Sequence, residues 1–231
     1  MENNAFGAIL IYVRLGSTRL PEKALKPIGN FKLIELIFNR LKSIENQYPI
    51  KLYLATTKAI EDNKLAAFGQ SLNISVFRGD EKNLVDRTLE FINQTNYRYI
   101  CRVNGDCPFV DLELICKGFD YIREGYDFVT NIKKRTFPYG VAVEWFNSDF
   151  YNNYSGDVLE KEKEHVTMHL YRLINEINHF NIESEIDNSK FNLTIDTHDD
   201  YNKIITYFKN LTKENQINLS YKKILKNDYT I

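Results

Sequence analysis

The sequence predicts an α/β protein with a mostly parallel central sheet and helices on both faces of that sheet. The first observation is a series of short apolar runs, rich in β-branched and aromatic residues, which indicate strands at 8–13, 50–57, 74–79 and 97–105. The second is the helical spacing of apolar residues in the segments between those runs. Buried strands that alternate with helices form a parallel sheet, whose ligand crevice lies beyond the carboxyl ends of the strands.

Each intervening helix is predicted from its own apolar stripe. Leucine and isoleucine recur three or four positions apart in residues 33–44, and leucine, isoleucine and phenylalanine recur in the same way in residues 65–72 and 84–92. A further helix is expected at 112–124, where Asp111 is a suitable cap. The first half of the chain therefore reads as four strands joined by three helices, with a fourth helix after them.

The second half of the chain is less regular. Strands are expected at 128–132 and 139–146, and a long helix from about Glu160 to Ile177. A strand at 191–196 and two helical patterns follow. The apolar face of the long helix would consist of Val166, Leu170, Leu173 and Ile174.

No repeat or interdomain linker interrupts the sequence. We therefore expect residues 1–231 to form a single domain. Residues of about 133–190 would form an excursion from its α/β core.

Composition limits the classes of partner. Lysine and arginine (30) almost balance aspartate and glutamate (31), so no basic field attracts nucleic acid. Three cysteines without C-x-x-C spacing argue against a disulfide framework or a zinc knuckle and favour a reducing compartment. The apolar run near the N-terminus reads as a first strand rather than a signal peptide, and no stretch is long enough to span a bilayer. We expect a cytoplasmic protein that binds neither nucleic acid nor membrane.

The segment after the first strand surrounds a small-residue turn with cations. Arg14, Arg19 and Lys23 flank the turn Gly16-Ser17-Thr18. In a parallel sheet this turn is expected at the mouth of the crevice, where turn amides and guanidinium groups would suit a polyphosphate. The alternative is a solvated turn whose basic residues are incidental. The stretch matches neither G-x-G-x-x-G nor G-x-x-x-x-G-K-[ST], which disfavours a dinucleotide dehydrogenase and a P-loop kinase or ATPase.

The stretch RLGSTRLPEK resembles the signature loop of the cytidylyltransferases that activate acidic sugars, the CMP-ketodeoxyoctonate and CMP-acylneuraminate synthetase superfamily. It is most similar to the spore-coat polysaccharide cytidylyltransferase branch. Further stretches resemble motifs of that family in the same order: FRGDEKNLVDR, RVNGDCPFVD, PYGVAVEWF, KEHVT and LTIDTHDD. The resemblance implies a single Rossmann-like nucleotidyltransferase domain that transfers CMP from CTP to an anionic acceptor and releases pyrophosphate, for surface polysaccharide biosynthesis.

The resemblance also implies roles for individual residues. Arg14, Lys23 and Asp106 would be catalytic, and the loop cations would hold the β- and γ-phosphates. Thr56, Thr57, Arg78 and Arg87 would lie near the base. The implied nucleotide-binding set is Arg14, Leu15, Gly16, Ser17, Arg19, Lys23, Thr56, Thr57, Arg78, Arg87 and Asn104. The implied acceptor-binding set, from the excursion, is Tyr139, Gly140, Glu144, His165 and Thr167.

Asp106 and Asp196 are the candidate ligands of Mg²⁺. Each ends a predicted strand, and Mg²⁺ prefers a few carboxylates together with phosphate oxygens and water. Local sequence offers other roles: Asp106 precedes Cys-Pro in a turn, and Asp196 precedes a predicted helix that it could cap. The family pattern places both carboxylates on the metal.

Two positions depart from the family pattern. Glu22 stands where relatives often have glycine, and Val141-Ala142-Val143 replaces a more polar segment. The acceptor is therefore open between a ring hydroxyl, which gives a CMP-linked product, and a phosphate monoester, which gives a CDP-linked product. The basic run at 133–135 would either face an anionic acceptor or form a solvated loop.

Two other function classes compete with the cytidylyltransferase. A nucleotide-sugar-dependent glycosyltransferase would need a D-x-D-like metal site, which GDCPFVD lacks. A non-catalytic nucleotide-binding protein would not need carboxylates at two strand ends. The resemblance further implies a homodimer formed through the excursion.

Overall fold

A seven-stranded sheet runs through residues 6–228, which are the residues that the computed structural model describes. The strands are β1 (Gly7–Tyr12), β2 (Pro27–Ile28), β3 (Phe31–Lys32), β4 (Ile50–Thr57), β5 (Ser75–Gly79), β6 (Tyr99–Asn104), β7 (Phe128–Thr130), β8 (Glu144–Asn147) and β9 (His179–Asn181). The large sheet has the order β5-β4-β1-β6-β8-β7-β9, and β2 pairs with β3 in a separate hairpin. Among the described strands of the large sheet, β8 alone runs antiparallel to its neighbours, which confirms the mostly parallel sheet.

Helices cover both faces of this sheet. They are α1 (Leu33–Leu41), α2 (Ile44–Gln47), α3 (Asn63–Ser71), α4 (Leu84–Gln94), α5 (Leu112–Arg123), α6 (Ser148–Tyr154), α7 (Met168–Arg172), α8 (His198–Thr206), α9 (Lys213–Ile217) and α10 (Tyr221–Asp228). Because side chains alternate along a strand, Ile9 and Ile11 of β1 pack into one apolar core, and Ala8 and Leu10 into another. Within residues 6–228, no helix is both long and apolar enough to cross a membrane.

The regular half of the chain confirms the sequence-based elements. The predicted strand at 50–57 is β4 without any change of bounds, and β1, β5 and β6 differ from their predictions by one or two residues at an end. The predicted helix at 112–124 is α5, and the Asp111 carboxylate caps it by accepting from the Leu114 amide at 3.0 Å. Residues 197–228 contain three helices, whereas two helical patterns were expected after residue 196.

The long helix predicted from Glu160 to Ile177 is wrong. The segment contains only a short 3₁₀ turn at Glu160–Glu162 and the five-residue α7. Val166, Leu170 and Ile174 are buried, so the apolar stripe is real. The backbone leaves the helical path between the two turns, where the carbonyl of Lys163 accepts from the Leu84 amide of α4 at 2.7 Å.

The strand predicted at 191–196 is also wrong. This segment bonds to loops rather than to a strand: its Leu193 amide donates to Tyr139 O at 2.9 Å, and its Ile195 amide donates to Asp106 O at 2.9 Å. The predicted strand at 139–146 begins only at Glu144, and Tyr139 pairs instead with the 191–193 segment. These loop contacts place Asp196 beside Asp106.

Candidate active site

A pocket of about 320 Å³ opens at the carboxyl ends of β1 and β6. Its walls are the loop after β1, the start of the loop after β6, part of α4 and residues 164–166. Nine of the residues predicted for the site line it: Arg14, Gly16, Ser17, Arg19, Lys23, Arg87, Asn104, Asp106 and His165. Their individual roles stay predictions, but the fold brings them to one cavity.

The loop after β1 is tightly turned. The Ser17 amide donates to the Leu15 carbonyl at 2.7 Å, which folds the small residues back on the end of the strand. Glu22 has φ of +52°, in the left-handed region that favours glycine. This conformation explains why glycine suits the position, and the Lys64 ammonium holds the Glu22 carboxylate at 2.8 Å.

Lys23 lies between the two candidate metal ligands. Its ammonium donates to Asp106 Oδ2 and to Asp196 Oδ1, both at 2.9 Å, and to the carbonyl of Ile195 at 3.2 Å. Burial alone would lower the pKa of Lys23, but the carboxylates of Asp106 and Asp196 outweigh burial and raise it. Lys23 is therefore the cation that both carboxylates share, and the Arg19 guanidinium adds a longer contact to Asp196 at 3.5 Å.

The turn that carries Asp196 is fixed by Asp200. The Asp200 carboxylate accepts from the amides of Asp196 and Thr197, at 3.1 and 2.8 Å, and from the Thr197 hydroxyl at 2.8 Å. Burial tends to raise the pKa of Asp200, and the hydrogen bonds from Thr197 outweigh it, so the pKa lies below its usual value. Asp200 therefore holds the turn. Asp196 is outside the lining of the pocket and reaches it through its contacts with Lys23 and Arg19.

The donor set at Lys23 fits Mg²⁺. Two carboxylates already surround one cation there, and Mg²⁺ is usually bound through one or two carboxylates plus substrate phosphates. Within residues 6–228, no group of three or more histidine, cysteine, aspartate or glutamate residues is placed to hold a metal by itself. A metal at this position would need phosphate oxygens and water to complete its coordination.

A buried carboxylate that sequence reasoning missed anchors the loop. Asp62 is fully buried, and its Oδ1 accepts from the Leu15 amide at 2.7 Å. Its other oxygen accepts from the amide and the hydroxyl of Thr57 at the end of β4. In sequence Asp62 looks like a helix cap before α3, but its side chain caps nothing there.

The predicted base-binding residues lie in two places. Arg87 lines the pocket, where it donates to the carbonyls of Asp80 and Glu81 at 2.8 and 3.2 Å, and burial lowers its pKa. Thr56 and Thr57 are fully buried, so the structure does not bring their side chains to the pocket.

Arg78 also lies outside the lining of the pocket. Its guanidinium is bound to the carbonyls of Thr57 and Ala59, at 2.7 and 2.8 Å, and to Asn63 Oδ1 at 2.7 Å. All three nitrogens of the group already have protein acceptors. In this geometry Arg78 links the end of β4 to the start of α3 instead of facing a base.

Glu144 and Thr167, predicted to bind the acceptor, do not face the pocket either. Glu144 is fully buried, and its carboxylate forms an ion pair with Arg102 and accepts from the hydroxyls of Thr167 and Tyr171 at 2.6 and 2.8 Å. A carboxylate with three protein donors has no room for a direct ligand. Arg102, which sequence reasoning did not select, lines the pocket in front of it.

Tyr139 and Gly140 have a structural role in this geometry. Tyr139 pairs through its backbone with residues 191–193, and the Arg135 guanidinium lies 4.0 Å from its ring centroid. Gly140 has φ of +93°, and a Cβ there would lie 2.9 Å from the backbone of Leu193. Gly140 is thus required where two loops approach closely, and Tyr139 contributes its backbone there; both residues lie outside the lining of the pocket.

Comparison with known proteins agrees with this geometry. A family model described as cytidylyltransferase matches residues 8–227. The spore coat polysaccharide biosynthesis protein SpsF of Bacillus subtilis is 29% identical over 202 residues, which are 84% of this chain and 83% of that protein. A 3-deoxy-manno-octulosonate cytidylyltransferase of Rickettsia typhi is 34% identical over 130 residues, 54% of this chain and 52% of that protein.

A solved structure is similar over almost the whole chain. It is a cytidylyltransferase from Leptospira borgpetersenii, with a TM-score of 0.86 and 32% sequence identity. The match covers 97% of this chain and 95% of that one.

Proposed function

The chain belongs to the cytidylyltransferase family, and from that membership we propose that it transfers CMP from CTP to an anionic sugar or a phosphorylated small acid. Pyrophosphate is the leaving group, and the product is used for surface polysaccharide. The spore coat relative, which is named for polysaccharide biosynthesis, supports this use. Homodimer formation through the excursion stays a prediction from the resemblance.

The observation that carries the proposal is the position of Lys23 between Asp106 and Asp196 in a cationic pocket. Transfer of a nucleotide requires an aligned triphosphate and neutralisation of the charge that develops on it, with little covalent help from the protein. Arg14, Arg19 and Lys23 supply positive charge from one loop. The tight turn between them supplies backbone amides.

Asp106 and Asp196 would hold Mg²⁺, which neutralises charge on the phosphate oxygens when it is bound. The protein's own part is to keep the two carboxylates together. The bond from the Ile195 amide to the Asp106 carbonyl and the Asp200 cap both serve that purpose. In the free protein the Lys23 ammonium occupies the position between the two carboxylates that Mg²⁺ would take. In the complex with CTP it would instead balance charge on a phosphate.

The first experiment is a thermal shift of the purified protein with Mg²⁺ and each of CTP, UTP, ATP and GTP in turn. The Mg²⁺-dependent shift is expected to be largest for CTP, because binding to the folded state raises its stability. A shift with a nucleotide sugar but with no triphosphate would favour a glycosyltransferase instead.

Turnover is then measured as pyrophosphate release with 3-deoxy-manno-octulosonate and with a sugar phosphate. Asp106→Asn should keep the fold and lower turnover by about a hundredfold or more, since it removes a ligand of the Mg²⁺ that would neutralise charge on the phosphates. The matched control is Asp199→Asn, an exposed carboxylate in the first turn of α8. Equal activity of Asp106→Asn and wild type would contradict the role of Asp106.

A further inference from the structure

Arg102 brings a second centre of positive charge to the pocket. It lies on β6, its side chain is 16% exposed, and it lines the cavity. Its Nη1 is paired with Glu144. Among the described residues, no side chain or carbonyl accepts a hydrogen bond from its Nε or Nη2, so two donors remain for a ligand.

The protein fixes the orientation of this guanidinium. Glu144 is fully buried on β8, directly opposite Arg102 in the strand register. Thr167 and Tyr171 donate to the other oxygen of the same carboxylate, and the Tyr171 hydroxyl is 2.5 Å from the Thr130 hydroxyl. A carboxylate that is held from three sides cannot rotate, and it holds Arg102 in turn.

Arg102 is separate from the cations of the loop. Arg14, Arg19 and Lys23 reach the cavity from the β1 side, where Lys23 contacts Asp106 and Asp196. Arg102 is tied to β8 and, through Glu144, to Thr167 next to residues 164–166 of the opposite wall. Arg87 also lines the pocket, and it donates to the same Glu81 carbonyl as Arg14, so it belongs with the loop cations. Arg102 is therefore a second cationic region, which the proposed placement of the triphosphate on the loop cations leaves unused.

We propose that Arg102 binds the anionic group of the acceptor, a carboxylate or a phosphate monoester, through its two unpaired donors. Glu144, Thr167 and Tyr171 are positioning residues that act through Arg102. An arginine fork matches the two oxygens of either anion, which a lysine ammonium does not. This assignment rests on the proposed function, because it presumes that the second substrate enters the same pocket.

The competing explanation is that the Arg102–Glu144 pair only ties β6 to β8. A second arginine–glutamate pair provides the matched control. Arg172 of α7 donates to the buried Glu162 at 2.9 Å, and Arg172 does not line the pocket. Loss of that pair should affect stability without affecting either substrate.

The test is isothermal titration of wild type, Arg102→Lys, Arg102→Met, Glu144→Gln and Arg172→Met. The ligands are CTP with Mg²⁺, and separately two acceptor probes, 3-deoxy-manno-octulosonate for the carboxylate and glucose 1-phosphate for the phosphate monoester. We expect wild type to bind one probe, and that probe identifies the anion. Arg102→Met should bind it at least thirtyfold more weakly, Arg102→Lys and Glu144→Gln about tenfold, with CTP affinity changed less than twofold throughout.

Several results would overturn the assignment. One is unchanged probe affinity in Arg102→Met, or in Arg102→Lys if the methionine variant does not fold. Another is a loss of CTP affinity in place of probe affinity, which would assign Arg102 to the nucleotide. A third is a wild type that binds CTP but neither probe. If wild type binds a probe but not CTP, the proposed function fails while the assignment of Arg102 is still decided by its variants.

Discussion

Replacement of Lys23 by methionine tests whether its ammonium competes with the metal. The ammonium contacts Asp106 and Asp196 at 2.9 Å each. Methionine has a similar length and no charge, so it leaves the two carboxylates without their shared counter-ion. A divalent ion that binds there in the absence of nucleotide would no longer have to displace a cation.

The expected gain in metal affinity follows from the burial of the two ion pairs, Lys23–Asp106 and Lys23–Asp196. The side chains of Lys23, Asp106 and Asp196 are 14, 21 and 32% exposed, between a surface pair and a buried one. We take each pair as worth about 1 kcal/mol, the upper end of the range for exposed pairs. Loss of about 2 kcal/mol of competition corresponds to roughly thirtyfold tighter metal binding.

The assay is titration of Mn²⁺ followed by electron paramagnetic resonance, without nucleotide. Lys64→Met is the matched control, because Lys64 is a lysine that pairs with a single exposed carboxylate, Glu22. Lys23→Met should bind Mn²⁺ more tightly than both wild type and this control, while its turnover with CTP falls. The same Mn²⁺ affinity in all three proteins would refute the reasoning.

Two further predictions concern buried groups. Asp62→Ala removes the acceptor of the Leu15 amide, so residues 13–20 should exchange their amide hydrogens faster, and CTP should bind about tenfold more weakly, the effect of one lost hydrogen bond. The control Asp111→Ala removes the cap of α5 instead and should change neither the exchange nor the affinity for CTP. Equal exchange in both variants would contradict an anchoring role for Asp62. Burial lowers the pKa of His169 from about 6.5 to about 4. The unfolded chain therefore binds a proton that the folded chain does not between these values, and stability falls as pH falls through that window, by up to about 3 kcal/mol at its lower end. Urea unfolding at pH 6.5 and 4.5 should show a smaller difference for His169→Gln than for wild type, and an identical difference would be evidence against a neutral buried His169.

The loop half of the site is predictable from the sequence because its residues are contiguous. Arg14, Gly16, Ser17, Arg19 and Lys23 follow one strand directly, and the fold class alone places that turn at the crevice. The same reasoning finds Asp106 after β6. For these residues, the position directly after a strand in the sequence is enough to give their position in the fold.

The residues that hold this loop are not predictable in the same way. Asp62 acts on Leu15, 47 positions away, and Arg102 meets Glu144, 42 positions away. A carboxylate before a helix looks like a cap, and an arginine within a strand has no pattern of its own. Their roles come from strand pairing, which a single sequence does not display.

Tertiary contacts also explain the two wrong elements. Periodicity correctly identified the buried side chains of 166–174, but the bond from Leu84 to Lys163 draws the backbone out of a helix. Residues 191–196 alternate like a strand, yet their partners are the Tyr139 loop and Asp106. In both cases the apolar side chains are buried as the pattern predicts, but the backbone does not form the predicted long helix or strand, because it hydrogen-bonds to α4 or to the loops near the pocket.

The contact between Ile195 and Asp106 has a consequence for synthesis of the protein. The two carboxylates lie 90 positions apart, and a single backbone bond beside them joins their segments. The chain leaves the ribosome N-terminus first, and a domain generally folds as a unit. The first strands and the cationic loop emerge early, but the second carboxylate, Asp196, is not made until most of the chain has been synthesised. A nascent or prematurely terminated chain can therefore carry the loop without being able to complete the site.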